Sequence, residues 1–167
     1  MKVARTVLRR TTPGNRCRLG EPEESSFIFH PLGKTAKHIY ASAEYLQKAG
    51  NPVTPEDLAK HSWLSLLSNS VFSTIDLLHP IKSNYSYEPS YRMRFNDLNS
   101  LVSHVQEGLG LAVLPELEIQ HLVKEGTLIK VLPDWQLSDL PLYALTIDRK
   151  QSYKIKAVLR ALKAFFG

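Results

Sequence analysis

The side chains able to do chemistry are few and scattered. Six histidines (His30, His38, His61, His79, His104 and His121) stand far apart in the sequence. None lies at a ligand spacing from another histidine, a cysteine or a paired carboxylate, and a metal site needs converging ligands. No metal site is therefore expected. His61, near the end of a short helix, reads as a cation facing the negative end of that helix. The single cysteine, Cys17, lies in an irregular leader and excludes an internal disulfide framework. Gly108-Leu109-Gly110 lacks the third glycine of a dinucleotide fingerprint and closes a helix instead of opening one. No serine sits in a Gly-x-Ser-x-Gly elbow. Asp97 has no partner for acid–base work and reads as a helix cap. No catalytic residue is expected, so the chain does not read as an enzyme. What remains is a pair of polar corners at strand ends: Ser68-Asn69-Ser70, and Phe95 with Asn96 and Asp97. Backbone N–H groups and short polar side chains at such corners suit a small polar or anionic ligand.

The elements that position these corners follow from periodicity. Tyr91, Met93 and Phe95 alternate with Arg92 and Arg94, the pattern of a half-buried strand. Asn96 or Asp97 then caps a helix whose apolar stripe is Leu98, Leu101, Val102, Val105 and Leu109. Gly108 and Gly110 are suited to left-handed conformations that end it. Leu111–Leu114 is a short apolar strand, and Pro115 opens the next helix. The expectation is a βαβ unit with Tyr91–Phe95 and Leu111–Leu114 as parallel neighbours. Ligands of open α/β sheets sit beyond the carboxyl ends of strands, which here is the Phe95–Asp97 corner.

Elsewhere, Ser26–Pro31 and His38–Ala41 read as strands. Ser42 caps a helix over Ala43–Lys48. Thr54-Pro55-Glu56-Asp57 is a helix start with a Thr cap, Pro at the first position and acids in the first turn. Trp63–Leu67 is a strand leading into Ser68. Ile75–Leu78 and Tyr85–Tyr87 form an antiparallel excursion. Glu116–Glu125 is a helix ended by Gly126. Leu128–Leu132 and Leu142–Ile147 are strands. The chain closes on a basic amphipathic helix, Gln151–Phe166, whose apolar stripe reads as a core-packing face.

The composition, 43% apolar and 22% charged, is that of an ordinary globular protein. The net charge of +5 is carried by residues 1–20, which hold six basic residues and no acid. The remainder is close to neutral and makes no case for a nucleic-acid surface. No apolar run is long enough for a transmembrane helix, and no secretory h-region is expected, because Val7 and Leu8 are followed at once by Arg9 and Arg10.

Four segments in order carry a resemblance: CRLGEPEESSFIFHPLGKT (17–35), HIYASAEYLQKAGNPVTPEDLAKHSWLSL (38–66), RMRFNDLNSLVSHVQEGLGLAVLP (92–115) and GTLIKVLPDWQLSDLPLYALTIDR (126–149). Together with the final basic helix, they resemble the effector-binding domain of LysR-type transcriptional regulators. One small departure is Ala43, where the family usually has proline. The resemblance implies an α/β, periplasmic-binding-protein-like (type 2), two-lobed fold. Residues 38–139 would form lobe II, complete. Residues 17–37 and 140–167 would form part of lobe I, and residues 1–16 an unstructured basic leader. The effector would sit in the cleft, with one wall built from the Leu67–Ser70 corner and from Phe95, Asn96 and Asp97.

Family members begin with a winged helix-turn-helix, a linker helix and the first half of lobe I, and residues 1–16 match none of these. The expectation is a cytoplasmic regulator fragment that binds a small molecule, a small carboxylate being the candidate. No cofactor, membrane contact or sequence-specific DNA binding of its own is expected. The alternative is a stand-alone ligand-binding or interaction module that associates with intact regulators. With half of lobe I lacking, Phe27–Phe29, Leu142–Ile147 and the last helix should expose apolar surface. Self-association or pairing with related regulators would follow.

Overall fold

The computed structural model describes residues 28–67, 74–146 and 152–166. They fall into two compact units: one contains residues 28–35 and 140–166, and the other residues 36–139.

The larger unit is built on a sheet. Its strands are β2 (Lys37–Ser42), β3 (Trp63–Leu66), β6 (Tyr91–Phe95), β7 (Ala112–Pro115) and β8 (Leu128–Val131). β2 lies between β7 and β8, antiparallel to both, and β3 pairs with β6 in parallel. Leu64 donates its N–H to the Leu111 carbonyl at 2.8 Å, and Leu111 donates to that of Ser62 at 2.8 Å. These bonds place β3 between β6 and β7, giving the order β6-β3-β7-β2-β8. The expected direct pairing of Tyr91–Phe95 with the 111–114 strand is therefore corrected: β3 intervenes.

The physical reason lies in the burial patterns. Trp63, Leu64 and Ser65 are buried on both faces, as a central strand requires, whereas in β6 Arg92 and Arg94 stay exposed. Gly110 makes the close approach possible. A Cβ there would lie 2.4 Å from the Ser62 carbonyl oxygen, so the β3–β7 contact needs glycine at this position.

Both sheet faces are covered. Ile39, Ala41, Trp63, Leu111 and Val131 pack on one side with Leu58, Leu77 and Trp135. Tyr40, Leu64, Ala112 and Leu128 pack on the other, against α2 (Leu98–Gln106) and α3 (Glu116–Lys124). Consecutive residues thus serve opposite cores, the period-2 geometry of strands.

The connections follow their capping chemistry. Ser42 caps α1 (Ala43–Ala49), its Oγ accepting from the Tyr45 N–H at 3.2 Å. Pro55–Lys60 is a 3₁₀ helix. The Asp57 carboxylate reaches back to accept from the N–H groups of Thr54 (3.1 Å) and Val53 (3.2 Å). Its hydrogen bond with Lys60, supported by those amides, holds it well below the usual carboxylate range. His61 departs from expectation. Desolvation by burial lowers its pKa, favouring the neutral ring, and its Nδ1 lies 3.2 Å from the Tyr45 hydroxyl. A helix this short offers little dipole, so the hydroxyl contact decides its role. β4 (Ile75–Leu77) and β5 (Tyr85–Tyr87) form the expected antiparallel pair.

In the smaller unit β1 (Ile28–Thr35) pairs antiparallel with β9 (Leu140–Thr146), and α4 (Tyr153–Phe166) accompanies them. Gly33 lets α4 approach: a Cβ there would fall 2.1 Å from the Phe166 carbonyl oxygen. Leu159 is buried, but Phe29, Tyr143 and Leu145 on the strands and Ile155, Val158 and Phe165 on the helix are exposed. Phe29 and Tyr143 meet edge to face, with ring centroids 6.0 Å apart.

Candidate functional site

The parallel strands β3 and β6 end together. Their register sets Leu66 opposite Phe95, so the chain leaves β3 beside the start of α2. This is the carboxyl-end corner where open α/β sheets take ligands. Ser68, Asn69 and Ser70 lie outside the described residues, as does Cys17. Phe95, Asn96 and Asp97 are brought together at the corner.

Asp97 is the helix cap. Its backbone is extended (φ −139°, ψ 156°), and its carboxylate accepts from the Ser100 N–H at 2.9 Å. The Ser100 hydroxyl donates to the other carboxylate oxygen at 2.7 Å. A carboxylate at the positive end of α2 is favourable, and it also fills the place that an incoming anion would take. Asn96, one residue earlier, is exposed and carries both a donor and an acceptor.

Phe95 is half-buried, and its ring lies against that of His104, with centroids 4.5 Å apart at 43°. His104 is oriented from its other side, Nδ1 lying 2.7 Å from the Ser100 carbonyl oxygen. Nδ1 therefore carries the proton and donates. Residues 97, 100 and 104 share one helix face. His104, one of six histidines scattered in the sequence, belongs to this corner. The signal was available in its helical spacing from Asp97.

The sheet brings a lysine to the same end. Lys37 of β2 lies opposite Pro115, the last residue of β7. Burial pulls the Lys37 pKa down, and Asp76 partly opposes this. A shallow groove lined by Leu98, Asn99, Val102, Ser103, Gln106, Glu118, His121 and Leu122 runs between α2 and α3. Among the described residues no group of three or more acidic, histidine or cysteine side chains is placed to hold a metal ion.

A capped α2, a parallel strand pair ending on Phe95 and an antiparallel β2 between β7 and β8 form a specific arrangement, and it has relatives. Residues 17–167 match the LysR substrate binding domain family. The chain belongs to the LysR substrate-binding domain family.

The HTH-type transcriptional activator AaeR of Escherichia coli (strain K12) is 30% identical over 150 residues, covering 89% of this chain and 48% of that protein. The regulatory domain of CrgA from Neisseria meningitidis, a LysR-type transcriptional regulator, superposes with a TM-score of 0.75 at 26% identity. That match covers 90% of this chain and 74% of the other. Full-length AphB from Vibrio cholerae, at 22% identity and a TM-score of 0.72, shares the fold. The chain thus spans about half the length of the curated relatives it matches. The expected fold class, α/β and two-lobed of the periplasmic-binding-protein type, is that of these LysR regulatory domains. The relatives are transcriptional regulators and not enzymes. No helix among the described residues is long and apolar enough to cross a membrane.

Proposed function

We propose that this chain is the effector-binding part of a LysR-type transcriptional regulator, that it catalyses no reaction, and that residues 38–139 form its lobe II. It takes a small molecule at the carboxyl-end corner of Phe95, Asn96 and Asp97, with Ser68, Asn69 and Ser70 as the further contacts that the family resemblance implies. The observation that carries this reading is the paired ending of β3 and β6 beside the capped start of α2.

The roles within the corner follow from its chemistry. Asp97 is committed to Ser100, so it shapes the corner and does not itself hold an anion. The exposed Asn96 side chain supplies polar contacts. The Phe95 ring, backed by His104, supplies an apolar wall for an aromatic or aliphatic body. A small polar molecule with such a body is the ligand class this corner suits, a small carboxylate being the candidate to be tested.

The test is a thermal-shift screen of the full chain against aromatic and aliphatic carboxylates. A ligand at one hundred times its Kd stabilises the native state by about 2.7 kcal/mol. For a chain of this size that corresponds to a rise of roughly 5–10 °C in Tm. Asn96→Ala should abolish the rise while leaving the unliganded Tm within about 1–2 °C, as exposed polar substitutions do. A panel in which no carboxylate moves Tm, or an Asn96→Ala variant that responds like the parent, defeats the reading.

A second reading is favoured by the smaller unit. Its exposed Phe29, Tyr143, Leu145 and Phe165 suit association with another copy or with a related regulator.

A further inference from the structure

β2 and β8 hold two basic side chains against each other. Tyr40 lies opposite Lys130 in the register, and His38 stands two residues before Tyr40 on the same face of β2. Lys130 Nζ is 3.1 Å from His38 Nε2. An ammonium group has protons and no lone pair, so it must donate, and Nε2 must be the bare nitrogen. The imidazole proton is therefore on Nδ1. That atom is buried with no hydrogen-bond partner, and it is the one buried side-chain polar atom so placed among the described residues. A buried donor without an acceptor carries the full cost of its desolvation.

The groups that face this ring come from three elements and from the chain just before β9. Lys130 is on β8. Tyr40, on β2, presents its ring edge-on with centroids 6.3 Å apart. Glu116 is the first residue of α3, its N–H bonded to the Ala36 carbonyl at 2.9 Å. Asp139 is the last residue of the larger unit. The two acids favour a charged His38, whereas burial and Lys130 oppose it. The neutral ring is required for the present contact, because a protonated Nε2 would set one donor against another.

We propose that His38 and Lys130 form a proton-operated latch between β2, where the chain enters the larger unit, and β8. With His38 neutral, Lys130 ties β8 to β2. When His38 takes a proton from solvent at Nε2, the Lys130 ammonium is expelled. The now cationic ring, with N–H groups on both nitrogens, turns to the Glu116 carboxylate. No covalent bond other than the new N–H forms, and no co-reactant is needed. The charge of the β2–β8–α3 edge thus changes between two discrete arrangements, as a switching element requires.

The direction with pH follows. Burial, reinforced by Lys130, lowers the His38 pKa below the ordinary imidazole value. The latch is fully closed above that value. Its contribution is lost as pH falls through the folded-state pKa. β7 separates the latch strands from β3 and β6, which carry the effector corner.

The test is an NMR titration of the histidine Cε1–H signals in the full chain, with His38 assigned by His38→Gln. The expected His38 pKa lies below that of an unperturbed imidazole. Lys130→Met should raise it, and Glu116→Gln should lower it, each by roughly half a pH unit or more. Hydrogen exchange at the β8 amides, corrected for intrinsic rates, should quicken several-fold through the same titration. It should not do so in His38→Gln. If Lys130→Met does not fold, Lys130→Gln and Glu116→Gln carry the test. A His38 pKa at or above the ordinary value overturns the proposal. So does one that neither charge removal moves, or a titration that leaves β8 exchange unchanged.

Discussion

Asp97 commits both carboxylate oxygens to Ser100, the backbone N–H at 2.9 Å and the hydroxyl at 2.7 Å. Its place in the molecule is structural first. Asp97→Ala should cost about 0.5–2 kcal/mol, and Asp97→Asn distinctly less, because asparagine caps nearly as well. Urea unfolding monitored by circular dichroism measures both. A loss of nothing in either variant would mean that α2 does not depend on this cap. The cap was legible in the sequence, because a short polar residue before an apolar stripe has one main reading. The role of Gly110 was not. It was read as a helix terminator, whereas its value is the closeness it permits between the 110–111 backbone and Ser62. A close approach involves two distant segments and leaves no mark in the residues beside it. His61 shows the same limit. Its position at a helix end suggested a cation, but the Tyr45 hydroxyl at 3.2 Å and its burial set a different role.

At the scale of elements, nearly every strand and helix lay where periodicity and capping placed it. The pairing of the strands was harder to read. β6 and β7 flank α2 in sequence and invite the inference that they are neighbours. Which strand fills a gap depends on burial on two faces at once. Trp63-Leu64-Ser65-Leu66 has that character, and β6, with Arg92 and Arg94 exposed, does not. The two strands should therefore respond differently to truncation. Leu64 is 1% exposed, so Leu64→Ala should cost about 2–5 kcal/mol. Met93→Ala, at a half-buried position of the edge strand, should cost less than half as much. Paired denaturant midpoints would show this, and equal losses would argue against a central β3. The charges of Arg92 and Arg94 also blunt the edge that β6 presents to other molecules.

For the whole molecule, the two units differ in how completely they bury their apolar faces. The larger has a sheet covered on both sides. Among the described residues the smaller has two strands and one helix, with Tyr143 50% and Phe165 76% exposed. Exposed apolar area of this kind drives association. The isolated chain should therefore form dimers or larger species at micromolar concentration, as sedimentation velocity would show. Tyr143→Lys with Phe165→Lys should shift it toward monomer. A monodisperse parent chain with a single cooperative unfolding transition would contradict this. That expectation came from the sequence by way of family resemblance. Periodicity alone showed amphipathic elements and could not show whether anything lies against them.

The pairing of β1 with β9 has a consequence in time. Ile28 is opposite Thr146, with the whole larger unit between them in the chain. On a ribosome adding roughly 5–20 residues per second, β1 waits on the order of 5–20 s before β9 exists. The contiguous larger unit can complete its sheet in that interval. The apolar residues of β1 meanwhile stand unpaired, and it is then that a chaperone, or a neighbouring nascent chain, has its opportunity to bind them.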